Sequence, residues 1–204
     1  MAAKVISVRD VGEPAAVRAC ARVLMGGGVA VFPTDTVYGV AAHPAWSSAV
    51  DRIYAVKGRP PGKPLPLLAA DMDAVDAAGA VWGERARRVA ARYWPGPLTL
   101  VLKTGSADEG FRVPALALAR DILRACGGVL RATSANLSGR DEARTADRAV
   151  AQLGERVDLV LDGGPCATGG APSTVARVTA DSIEILRAGA VSESDLWEAA
   201  VGGR

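Results

Sequence analysis

The sequence predicts a single-domain α/β fold: a twisted mixed sheet, largely antiparallel with some parallel pairing, flanked by helices. Three observations lead there. Half of the 204 residues are apolar and mean hydropathy is +0.18, enough to bury roughly 70% of the unfolded surface around one core. Apolar runs of strand character alternate with runs of helical period, but without strict βαβ regularity. No internal repeat and no domain-scale linker divides the chain, so residues 1–204 are read as one domain.

In chain order, Lys4 to Val8 reads as a short strand, followed by a helix from Pro14 to Met25 with Val17, Cys20, Val23 and Leu24 on one face. Gly26, Gly27 and Gly28 end it. Val29 to Phe32 is an unbroken apolar run, hence a buried strand, and Pro33 stops it. This leaves Thr34, Asp35 and Thr36 in a loop at a strand end, where open α/β sheets bind ligands and where such residues also close turns on their own backbone. Ser47 to Val56 is helical, with Ser47 or Ser48 as N-cap, Asp51 in the first turn and Ala49, Val50, Ile53 and Tyr54 inward. Leu65 to Ala69 is a strand, Met72 to Ala77 and Glu84 to Tyr93 are helices, and Trp94 to Pro97 (WPGP) is a rigid corner before the strand Leu98 to Lys103.

Phe111 to Val113 is extended before Pro114, and Ala117 to Cys126 is helical. Val129 to Ala132 is a strand running into the polar segment Thr133 to Gly139. Ala146 to Leu153 is a helix, and Leu159 to Leu161 a strand closed by the turn Asp162 to Pro165. After the loop Cys166 to Pro172 come two strands, Thr174 to Val178 and Ile183 to Leu186, the second closed by Arg187 and Gly189. A last helix begins at Ser192, with Asp195 in its first turn.

The stretch Tyr54 to Leu68, YAVKGRPPGKPLPLL, places Lys57, Arg59 and Lys63 among Gly and Pro residues that forbid regular structure. A stiffened loop loses little entropy on ordering around a polyphosphate, so its charges are suited to one. Cations followed by Gly and Pro also terminate helices, and spacing alone does not separate the two readings. Gly58, Gly62 and Lys63 have a faint likeness to a phosphate-binding P-loop. The glycines stand one residue too close, however, and Pro64 occupies the magnesium-binding Ser or Thr position, which excludes that motif.

Composition narrows the chemistry. A net charge of +2 is too balanced to argue alone for nucleic-acid binding, although only four cations are Lys (4, 57, 63 and 103) and two of those lie in the central loop. Cys20, Cys126 and Cys166 are odd in number and far apart, which argues against disulfides and zinc and for the cytoplasm. The N-terminus MAAKVISV lacks a signal-peptide core, and no apolar run approaches the ~18 to 20 residues of a membrane span. His43 is the only histidine, and there is no GxSxG elbow for a serine nucleophile.

Four small-polar or cationic clusters therefore fall at strand ends or in loops: Thr34 to Thr36, Lys57 to Lys63, Ser134 to Asn136, and Ser173 to Thr174 with Arg187. In order, FPTDTVYGV, KGRP, RVP, TSANLSG, LDGGP, PSTV and ILRAGA resemble the YrdC/TsaC family, the threonylcarbamoyl-AMP synthases, over about residues 7–190. The joint presence of Lys57-x-Arg59 and Ser134-x-Asn136 makes the resemblance specific. It implies a YrdC-like domain of the short form, without a further C-terminal domain. The implied reaction converts ATP, L-threonine and bicarbonate, with Mg2+, to threonylcarbamoyl-AMP and pyrophosphate, the product passing to the tRNA threonylcarbamoyl transferase machinery for t6A.

By the same resemblance Lys57 and Arg59 are catalytic, and Arg59, Lys63, Ala132, Ser134, Asn136, Ser173, Thr174 and Arg187 bind ATP. Thr34 and Arg112 bind threonine, and no side-chain metal ligand is assigned. Attack of a carbamate on a phosphate needs cations and donors more than a nucleophile, which suits these residue types. The alternatives are a relative that hydrolyses or uses a carbamoyl-type adenylate, and an RNA-binding module whose cationic groove contacts tRNA directly. The sequence departs from the family at Lys63 (commonly Asn), Leu68 (commonly His), and Asp141 and Glu142 (for Pro and Ser). Carboxylates at the last two positions would repel phosphate unless they face solvent.

Overall fold

The computed structural model describes residues 3–60, 64–105, 107–166 and 171–202. The first half of the chain forms β1 (Lys4–Ser7), α1 (Val8–Val11), α2 (Glu13–Met25), β2 (Val29–Pro33), β3 (Tyr38–Ala42), α3 (Ser47–Lys57), β4 (Leu67–Ala69), α4 (Met72–Ala77), β5 (Ala80–Val81) and α5 (Glu84–Tyr93). The second half forms β6 (Leu98–Thr104), β7 (Ala107–Arg112), α6 (Ala117–Ala125), β8 (Val129–Ser134), α7 (Ala146–Leu153), β9 (Leu159–Asp162), β10 (Thr174–Val178), β11 (Ile183–Arg187) and α8 (Glu193–Val201).

The described strands join one sheet in the order β1-β9-β2-β3-β8-β4-β7-β6-β10-β11, with β5 paired to β6 beside this path. The β1–β9, β2–β9, β4–β7 and β6–β10 pairings are parallel, and the rest are antiparallel. This is the mixed sheet that the sequence predicts.

The two-residue period of a strand explains how both faces are filled. In β2, Ala30 and Phe32 enter a cluster with Cys20 and Leu24 of α2 and Ile122 and Leu123 of α6, while Val29 and Val31 face Ile53 of α3 and Leu153 of α7. Each of these fully buried large side chains stabilises the fold by about 1.5–3 kcal/mol. The β6–β10 half is covered differently. Leu98, Leu100, Ala176 and Val178 pack on α5 and α8, while the alternate residues Thr99, Val101, Val175 and Arg177 point the other way and line a cavity.

Several elements depart from the sequence reading. β3 is an addition to the predicted strands; its YGVAA is poor in β-branched residues, yet all five positions are buried and paired with β2, and Gly39 to Ala42 pair with β8 as well. β7 begins at Ala107 and not near Phe111, because Asp108 and Glu109 extend the pairing with β6. Residues 8–11 form the short helix α1. The N-cap of α3 is Trp46, without a side-chain cap bond, and not Ser47 or Ser48. Ser192 caps α8 instead of starting it, in a reciprocal capping box with Asp195.

Candidate active site

A cavity of about 400 Å³ lies where β3, β8, β4, β7, β6, β10 and β11 converge, a size suited to a small-molecule site. Of the predicted site residues, it gathers Thr34, Arg59, Arg112, Ala132, Ser134, Ser173 and Arg187 on its walls. Lys57, Asn136 and Thr174 do not reach it, and Lys63 lies outside the described residues.

One end is built around Arg112, only 7% exposed, which closes β7 beside Leu68 of β4. Its Nε donates to Gly96 O at 3.0 Å and its Nη1 to Thr36 Oγ1 at 2.9 Å. Nη2 lies 2.8 Å from Asp35 Oδ2 in a largely buried ion pair. Burial lowers the pKa of the guanidinium, Asp35 opposes that shift, and Arg187 adds to it. A guanidinium fork held in place this way on the cavity wall is suited to a carboxylate.

Gly96 in the WPGP corner holds this end in place. Its N–H donates to Val113 O at 2.8 Å, and a Cβ there would lie 2.3 Å from Tyr93 O, so only glycine fits. The corner was legible in the sequence, but its part in aiming Arg112 was not. Thr34 is committed to its own turn. Its hydroxyl donates to Val37 O at 2.7 Å and accepts from the amides of Thr36 and Val37 at 3.2 and 3.3 Å. The turn reading of this segment therefore holds for the hydroxyl, while the side chain still lines the wall.

The other end is cationic. Arg187 Nη2 donates to Ser173 O at 2.7 Å and to Ser173 Oγ at 2.9 Å, and Ser173 Oγ lies 3.0 Å from Thr99 Oγ1. Burial lowers the Arg187 pKa, Glu142 opposes the shift, and Arg59 deepens it. Arg59 approaches from the loop after α3, where Gly58 takes the left-handed conformation (φ 58°) and Arg59 Nη2 donates to Pro64 O at 3.2 Å. Thr174, fully buried, bridges elsewhere, exchanging hydrogen bonds with Val191 N and O at 2.9 and 2.7 Å.

Lys57 is 3% exposed and sits behind the wall. Its ammonium donates to Ser134 O at 2.5 Å, Asn136 O at 2.7 Å and Asn136 Oδ1 at 3.3 Å, while Asn136 Nδ2 donates to Leu137 O and Arg140 O. The pair fixes the turn after β8 and thereby presents Ser134 to the cavity. Burial, with the nearby Arg59, lowers the Lys57 pKa from its ordinary 10.5 to about 8, against the opposing field of Glu142.

Sequence reasoning gave no role to Thr99, which lies on the cavity wall with Thr36 of the predicted polar cluster and Leu68 of the family departures. Of the two acidic departures, Asp141 is exposed, but Glu142 is half-buried and lines the cavity instead of facing away from it.

Comparison with known proteins places the chain in a family. The family model for Sua5, YciO and YrdC proteins, described as "Telomere recombination", matches residues 22–189. The chain is 34% identical over 185 residues to a threonylcarbamoyl-AMP synthase of Bacillus subtilis, covering 85% of this chain and 53% of that protein. It is 33% identical over 195 residues to that of Pyrococcus abyssi, covering 91% and 57%. The chain thus spans about half the length of these curated relatives. The crystal structure of P. abyssi Sua5 complexed with L-threonine superposes with a TM-score of 0.86 at 28% identity, covering 98% of this chain and 61% of that one.

Proposed function

Because the chain belongs to the Sua5/YciO/YrdC family, we propose that it is a threonylcarbamoyl-AMP synthase, joining L-threonine, bicarbonate and ATP into threonylcarbamoyl-adenylate with release of pyrophosphate. The observation that carries this reading is one cavity with the buried Arg112 guanidinium at one end and the Arg59 and Arg187 guanidinium groups at the other. The relatives' names and the threonine complex of P. abyssi Sua5 support the same substrates.

Arg112 pairs its guanidinium with the threonine carboxylate and so turns the amine towards the middle of the cavity. That amine takes up bicarbonate, losing water, to give the carbamate. A carbamate oxygen then attacks the α-phosphorus of ATP, the bond to the β-phosphate oxygen breaks, and pyrophosphate carries the charge away. Arg59 and Arg187 offset the negative charge that accumulates on the phosphates, and Ser134 offers a hydroxyl donor beside them. A magnesium ion, when bound with ATP, would screen the triphosphate and weaken the bond to the leaving group. The product would then be consumed by the tRNA threonylcarbamoyl transferase machinery.

Pyrophosphate release from ATP, measured with each amino acid in turn and with and without bicarbonate, tests the reading. Release that requires threonine and bicarbonate together is the expected result. Release without bicarbonate, or with no preference for threonine, contradicts it.

A further inference from the structure

Resting on that reading, we propose that Glu142 ligates the divalent cation that accompanies the triphosphate. Three carboxylates besides Asp35 come to the cavity or its rim. Asp108 is paired with Lys103 and Arg177 at 2.7 and 3.0 Å, and Glu109 with Arg131 at 2.5 Å. Glu142, among the described residues, makes no hydrogen bond and no ion pair within 4.0 Å. Its field reaches Lys57 and Arg187, opposing the fall in pKa of both. It stands near the cations without closing on any of them.

The backbone that carries Glu142 is fixed on both sides. Asp141 O accepts from Gln152 Nε2 at 2.9 Å, and Ala143, fully buried, accepts from Tyr38 N at 2.8 Å. One residue further back, Arg140 O is held by Asn136 Nδ2 at 2.7 Å. A carboxylate presented this firmly is placed towards whatever fills the cavity. An unscreened carboxylate facing a triphosphate weakens its binding, and the repulsion changes sign once a cation lies between them. Magnesium favours such sites, taking hard oxygen ligands from one or two carboxylates together with substrate phosphates. Glu142 supplies one carboxylate, so no larger acidic cluster is required.

The test is a cycle of metal against substitution, read by calorimetric titration of ATP into wild type and Glu142→Gln, each with excess Mg2+ and with EDTA. In wild type, Mg2+ should tighten ATP binding by about tenfold or more. In the variant that gain should vanish, while metal-free ATP binds as tightly as to wild type or more tightly. An equal magnesium gain in both proteins, including the case where Glu142→Gln tightens both titrations alike, overturns the proposal and leaves Glu142 a repelling charge. A wild type that binds ATP with no magnesium gain overturns it as well. A wild type that binds no ATP under either condition removes the nucleotide reading itself, which separates the two failures.

Discussion

Lys57 and Asn136 close on each other: the Lys57 ammonium donates to the main-chain carbonyl of Asn136 at 2.7 Å and to its Oδ1 at 3.3 Å. The two motifs that make the sequence recognisable are thus halves of one structural unit. Lys57 directs its charge to the turn that carries Ser134, while Arg59, two residues on, lines the cavity.

This separates two neighbouring substitutions. Lys57→Met strips the donor from buried main-chain carbonyls and should cost about 3 kcal/mol of stability in urea unfolding, since each unsatisfied buried group costs about 1–3 kcal/mol. Arg59→Ala should change stability by about 1 kcal/mol or less while lowering kcat/KM by about 10²-fold, through lost charge stabilisation. A stable but inactive Lys57→Met protein would show that the lysine acts on substrate directly.

The same lysine gives a pH dependence. The folded chain holds this proton with a pKa of about 8, against the ordinary 10.5, so between these values the unfolded state carries the extra proton. Stability from this group is lowest below pH 8 and rises as pH climbs towards about 10.5. The stability difference between wild type and Lys57→Met, measured in urea from pH 7 to 10, isolates the effect. It should grow in favour of wild type above pH 8; a flat or falling difference contradicts the lowered pKa.

Arg112→Lys keeps the charge but loses the fork. Threonine affinity should fall by about tenfold or more, consistent with about 1.5–3 kcal/mol for a charged hydrogen bond. The ATP affinity should move by less than about threefold. Calorimetric titration of each substrate decides, and a change confined to ATP would reverse the assignment of the two ends.

Gly189→Ala should damage the nucleotide end without touching a charged group. A Cβ there would lie 2.3 Å from Pro172 O and 2.4 Å from Thr174 N, so the segment bearing Ser173, just before β10, must shift and its hydrogen bonds to Arg187 must stretch. Unfolding free energy should drop by about 2 kcal/mol or more through backbone overpacking, with ATP affinity falling further than threonine affinity. An alanine variant of wild-type stability would contradict the close approach.

The three cysteines are buried and free. Burial pushes the thiol of Cys126 up to about 11 and raises those of Cys20 and Cys166, so little thiolate forms at neutral pH. The native protein should react with a disulfide reagent only after denaturant is added, and Cys166→Ala should keep its activity. Rapid labelling that ATP prevents would place a thiol in the cavity.

The strands with strong apolar runs, such as VAVF in β2 and LTLVL in β6, were legible because burial on one or both faces writes itself into the sequence. β3 was not, since Tyr38 to Ala42 is stabilised by pairing with β2 and β8 and not by its own residues. The cations of the site were visible as residue types, but their division of labour was not. Nothing in Lys57-x-Arg59 says which cation turns inward to carbonyls, because that depends on a turn near residue 135. Glu142 was visible as a departure, and only the folded cavity shows that it lines the wall.

The order of strands along the chain has a consequence for synthesis. Thr36 and Arg59 come from the first third of the chain, but Ser173, Val175 and Arg187 lie on or beside β10 and β11, and β10 enters the sheet by pairing in parallel with β6, some 75 residues earlier. Such distant parallel pairing is slow to form. On the ribosome, the nascent chain should therefore gain no affinity for nucleotide until these last strands have emerged, and ATP should act on completed chains, holding the final strands in place against proteolysis.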